Sequence, residues 1–140
     1  MAILDDICFG KFQFEFVVIL RNSLLINGIL TNAEAWYDIK KADLETLEKV
    51  DESLLRQVLE APCSTPKEML HLEMGLLPIR FIIMRRRLNF LHCILNENSE
   101  SLIYRFFKAR LENPVKNDWA VTVREDLEHL NLPSIDEIQS

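Results

Sequence analysis

"PIRFIIMRRRLNFLHCIL", Pro78 to Leu95, decides how this chain folds. The stretch carries four arginines, Arg80, Arg85, Arg86 and Arg87, and no acid, yet most of its residues are apolar. The apolar residues do not alternate, and Pro78 suits the first position of a helix because its fixed φ is already helical. A helix is therefore predicted. At about 100° per residue, Arg85 falls in a polar sector with Asn89 and His92. Arg86 falls among Ile79, Ile82, Ile83, Phe90 and Cys93, and Arg80 and Arg87 lie together between Leu91 and Ile94. Three of the four arginines thus adjoin apolar surface. A guanidinium buried without a partner is very costly. Two readings stay open. The arginines pair with acids of neighbouring helices, those at residues 43 to 60 first among them, or they reach an anion such as nucleic-acid phosphate.

The flanking segments point to helices as well. Gly occurs three times and Pro five times, the prolines at plausible helix boundaries. Phe12 to Asn32 opens with the alternating "FQFEF", which on its own suits a strand over Phe12 to Val18. The following "VVILRNSLLINGIL" is too long and too uniformly apolar for one, so the segment is predicted to be a central core helix. "DLETLEKVDESLLRQVLEA" predicts a helix with Asp43 as N-cap and Pro62 as its stop. Its apolar stripe is Leu44, Leu47, Val50 or Asp51, Leu54, Leu55 and Val58. Its polar face has a net charge of −4. In "STPKEMLHLEMG", Thr65, Pro66 and Glu68 read as N-cap, first position and capping-box acid, with Gly75 as the stop. "NSESLIYRFFKARLEN" predicts a helix capped by Asn98 or Ser99. "NDWAVTVREDLEHLNL" predicts another, capped by Asn117, with Trp119, Val123, Leu127 and Leu130 on one side. Residues 134–140 read as a capped helix start with a frayed end, and the net charge from residue 117 onward is −5.

These segments add up to an all-α fold, a single compact domain of five to seven helices with short loops over residues 1–140. Its 140 residues, 49% hydrophobic and 27% charged, can bury a core. The net charge of −6 excludes a generic polyanion binder, so nucleic-acid contact requires a local basic patch. Cys8, Cys63 and Cys93 form no CxxC pair and read as free thiols of a reducing compartment. His71, His92 and His129 are too scattered for a zinc site. No metal, cofactor or membrane span is expected, and the location expected is intracellular, in cytoplasm or nucleus. No nucleophile motif, phosphate-cradling loop or zincin helix occurs. In "AILDDICFG", Asp5 and Asp6 look like the metal-binding pair of a polymerase. That chemistry also needs a carboxylate from an earlier strand, and only four residues precede Asp5. The pair reads instead as solvated residues on an N-terminal turn or short helix over residues 1–11.

The series "LRNSLLINGILTNAEAWY", "LEKVDESLLRQVLEAP", "STPKEMLHLEMGLLPIRFIIMRRRLNFLHCIL" and "DWAVTVREDLEHLNL" resembles the region after the polymerase palm in reverse transcriptases of non-LTR (LINE-type) retrotransposons. Thr65 to His92 is its most specific part. The resemblance implies a helical, thumb- or connection-like region that helps hold template and primer. It also implies a chain that is not an enzyme on its own, because the palm is missing. Partners would then be the palm and thumb domains, RNA or DNA backbone bound weakly through Arg80, Arg85, Arg86 and Arg87, and possible further copies of the chain. The alternatives are a helical protein-interaction module using its acidic faces, and a transposon remnant without selected function.

Overall fold

The computed structural model describes residues 15–139, and all regular structure among them is helical. The all-α expectation is met. The segment predicted to be a helix is helical from residue 15 on, so the strand alternative over Phe12 to Val18 does not hold at residues 15–18; residues 12–14 lie outside the described residues. Asp5, Asp6, Cys8 and the 1–11 turn also lie outside them. Helix α1, residues 15–29, is α-helical to residue 21 and π-helical over Asn22–Ile29. A 3-10 turn, Ala33–Ala35, precedes α2 (Lys41–Val58) and α3 (Lys67–Met74). Then come α4 (Ile79–Leu95), α5 (Leu102–Glu112), α6 (Trp119–His129) and α7 (Ile135–Gln139). Among the described residues no helix is long and apolar enough to cross a membrane.

Among the described residues, contacts gather into two compact units, residues 15–31 with 42–79, and residues 32–41 with 80–139. In the first unit, Leu55 of α2 packs with Leu70 and Met74 of α3, joined by Val18, Val58 and Leu76. The buried positions of α1 and its C-cap are Val17, Arg21, Leu25 and Leu30, in steps of four, four and five. The five-residue step is where the helix turns π: the Leu30 N–H bonds back to the Leu25 carbonyl, the i→i+5 repeat of that geometry. In the second unit the core is Leu91, Ile94, Phe107, Ala120, Val123, Leu127 and Ile135, with Trp119 edge-on to both Phe90 and Phe107. Such edge-to-face packing adds about 1 kcal/mol beyond the area buried.

Helix ends depart from the predicted caps by small steps. α2 starts at Lys41, so Asp43 sits inside its first turn, where an acid still favours the helix dipole. It stops at Val58, ahead of Pro62, because Glu60 takes a left-handed conformation and the Ala61 N–H returns to the Arg56 carbonyl. α3 has Pro66 in place of Thr65 at its N-cap, and no side chain caps it. The stop at Gly75 is as expected, with φ +61° and its own and Leu76's N–H groups bonded to Leu72 and His71 carbonyls. Ser101 stands at the N-cap of α5 without a side-chain bond to it; Asn98 instead folds a turn ahead of it, accepting from the Glu100 N–H. Asp118 caps α6, since Asn117 is left-handed at φ +56°. In the last helix, expected as a capped start, Ser134 and Glu137 form a reciprocal capping box, and Ile135 is buried in the second core.

The ambiguity between Val50 and Asp51 in α2 resolves toward the acid. Val50 is 49% exposed and Asp51 is fully buried. Leu55→Ala is therefore expected to cost about 2–5 kcal/mol, and Val50→Ala less than about 0.5 kcal/mol, in urea unfolding followed by helical circular dichroism.

Candidate nucleic-acid interface

α4 presents its four arginines in different ways. Arg85 is exposed, with Asn89 and His92 exposed beside it, as the helical wheel predicts. Arg80 and Arg86 are half-buried, and each has a partner within the protein. Arg87 is 6% exposed and forms a two-pronged fork with Asp126 of α6: Nε donates to Oδ2 at 2.6 Å and Nη2 to Oδ1 at 2.9 Å. Its Nη1 donates to the Trp36 carbonyl at 3.3 Å. Leu91 and Ile94 are buried near it on the same helix, so the apolar side of the wheel is as read. Arg87 is thus corrected from a phosphate contact to an internal ion pair. Its charge is neutralised within 3 Å and its donors point into the fold. The four arginines do not form one outward patch.

The first unit contains a matching cluster that sequence reasoning did not single out. Arg21 of α1 donates from Nε to Asp51 Oδ1 at 2.6 Å and from Nη2 to Oδ2 at 2.8 Å. Nη2 also donates to the Leu77 carbonyl at 2.8 Å. His71 of α3 places Nε2 3.0 Å from Asp51 Oδ2 and Nδ1 3.0 Å from the Lys67 carbonyl. Carbonyl and carboxylate both only accept, so the imidazolium form, with a proton on each ring nitrogen, is the form that satisfies both contacts. The Asp51 bond is the leading influence holding His71 above its ordinary pKa of 6.5, against the opposing effect of burial. Burial alone would raise the Asp51 pKa; the bonds from Arg21 and His71, with their charges, outweigh it and hold the group below 3.8.

Two signals in the sequence bear on this cluster. Arg21 stands four residues from both Val17 and Leu25 in an apolar helix, and Asp51 stands in the apolar stripe of α2. Each is a charge at a core position, and such charges come in pairs. The acidic face expected on α2 shrinks accordingly, because Glu48 is buried as well as Asp51. Among the described residues no group of three or more His, Cys, Asp or Glu side chains is placed to hold a metal ion, and Cys63 and Cys93 are free and exposed. Compared with known proteins, no family model, no curated sequence and no solved structure matches the chain.

Removing one member of a buried pair strands the other charge. Arg87→Ala is expected to cost about 3–5 kcal/mol, and Arg85→Ala less than about 0.5 kcal/mol, in the same unfolding assay. A raised His71 pKa gives stability that is complete below the unfolded value of 6.5 and is lost as pH rises through the folded value. Urea midpoints should therefore fall on the alkaline side of 6.5, and His71→Gln should flatten that fall. A lowered Asp51 pKa gives stability that is complete above 3.8 and is lost as pH drops through the folded value.

Proposed function

We propose that this chain is a non-catalytic helical support region of the kind that follows the palm in non-LTR retrotransposon reverse transcriptases. It packs against the other polymerase domains and touches nucleic-acid backbone without polymerising. The observation that carries this reading is the way the chain presents its side chains. Arg87 and Arg21 are turned inward, while large apolar residues are turned outward. On α1, Phe16, Ile19, Leu24 and Ile29 are exposed, and on α5 Leu102, Ile103 and Phe106. Apolar side chains left outward on these helices suit contact with further polypeptide. Arg85, with Asn89 and His92, keeps a cation free for phosphate. The smaller acidic face of α2 makes the reading as an acid-driven interaction module weaker.

The reading is tested by titrating labelled primer–template duplex with the full chain at several salt concentrations. Weak, sequence-independent binding is expected, with a log–log salt slope that loses about one unit in Arg85→Ala. No binding at low salt, or primer extension by the purified chain, would contradict it. The outward apolar residues also predict association at high concentration, visible by light scattering and reduced by Ile19→Glu with Leu24→Glu.

A further inference from the structure

The second unit holds a cleft of about 400 Å³ between the 3-10 turn, α4, α5 and the start of α6. Its walls include Tyr37, Phe90, Ile103, Phe106 and Trp119. Phe90 and Trp119 are fixed by edge-to-face packing, and the Trp119 indole N–H donates to the Glu34 carbonyl at 2.7 Å. Tyr37 and Phe106 are different: they are 53% and 59% exposed at the cleft. Two rigid aromatic walls thus meet two aromatic rings open to solvent.

The polar pair in the same cleft is incompletely satisfied. The Arg110 guanidinium lies 5.1 Å over the Phe106 ring, and its Nε stands 3.6 Å from Asp118 Oδ2. That separation is an ion pair beyond hydrogen-bond length. Among the described residues Asp118 Oδ2, sealed from solvent, accepts no hydrogen bond. Asp118 therefore holds Arg110 in place over the ring by charge while leaving the planar N–H fork of Arg110 open. The side chain is 39% exposed and lines the cleft. A guanidinium positioned on an open aromatic ring is an arrangement that stacks a flat heterocycle and bonds its acceptor edge.

We propose that this cleft takes an unstacked nucleobase of a single-stranded nucleic acid. The base lies against Phe106 and Tyr37, and Arg110 donates to a ring carbonyl or ring nitrogen. α5 supplies the surrounding charge: in "YRFFKAR", Tyr104 to Arg110, basic and aromatic residues interleave, and Arg105 and Lys108 are exposed. The proposal rests on the nucleic-acid part of the function given above and narrows it from duplex backbone to a splayed single strand. A purely apolar side chain would use the walls equally well but would bring no acceptor to Arg110, whereas a nucleobase brings a flat stacking face and an acceptor edge in one group.

The test compares a labelled mixed-sequence deoxyoligonucleotide, single-stranded and annealed to its complement, by anisotropy with the full chain at low salt. Phe106→Ala and Tyr37→Ala change exposed side chains, and circular dichroism checks that their helix content is retained. Arg110→Lys keeps the charge and removes the planar fork. The single strand is expected to bind more tightly than the duplex. Phe106→Ala should weaken it about tenfold, as for loss of one stacked base, with duplex binding unchanged, and Arg110→Lys should weaken it as well. Equal binding of both forms, untouched by Phe106→Ala, overturns the cleft proposal and leaves backbone contact standing. No binding of either form overturns both. Binding of a Leu- and Phe-rich peptide that is lost in Phe106→Ala, without single-strand binding, makes the cleft a polypeptide seat and also overturns the proposal.

Discussion

A guanidinium clasping a carboxylate inside the protein organises each of the two units. Arg21 reaches from α1 to Asp51 of α2, and Arg87 reaches from α4 to Asp126 of α6. In both, a further N–H goes to a main-chain carbonyl outside the regular helices, Leu77 in one and Trp36 in the other. This is a role for arginine's planar, five-donor head that lysine could not fill. The fork fixes the two helices at one register, and the extra bond ties that register to a loop carbonyl. Such pairs need not add net stability, because two charges lose their water. Their effect is on which arrangement is allowed: any packing that separates the partners leaves a bare charge in the core.

The two clusters differ in one respect that affects their behaviour. Asp126 serves a single arginine, whose charge does not change at any ordinary pH. Asp51 serves Arg21 and His71 together, so the Asp51 cluster contains a bond that depends on an imidazole proton and the Asp126 fork does not. The three side chains come from α1, α2 and α3, and the imidazole also bonds the Lys67 carbonyl in the first turn of α3. Protonation of one ring therefore bears on how α3 is held to the two helices beside it.

How much of this was legible depends on whether the deciding forces are local. The all-α class was, because spacing, Pro and Gly act within a few residues, and Gly75 stops α3 where expected. The exposure of Arg85 and the burial of Leu91 and Ile94 followed from helical geometry alone. The partner of Arg87 did not: the acids at residues 43–60 were expected first, and tertiary contact assigns Asp126 instead. Asp51 was half legible. It occupied a stripe position that Val50 could also fill, and hydrophobicity favours valine. What reverses the choice is Arg21, thirty residues away. Caps were misplaced by one to three residues because several Ser, Thr, Asn and Asp stand near each helix start, and left-handed residues such as Asn117 shift the boundary. The cleft on α5 escaped notice because its aromatic residues come from distant segments, Tyr37 and Trp119 among them.

The widened turn of α1 has a consequence for chain length. Between Leu25 and Leu30 the helix spends five residues on a step that an α-helix makes in about four. Both leucines remain buried, so the surplus residue is absorbed by the backbone rather than by rotating the core face outward. The segment thus accommodates a sequence one residue longer than its packing requires. Shortening it by one residue between the two leucines restores ordinary α spacing with the same inward face, whereas the same deletion between Val17 and Arg21 would turn the guanidinium away from Asp51.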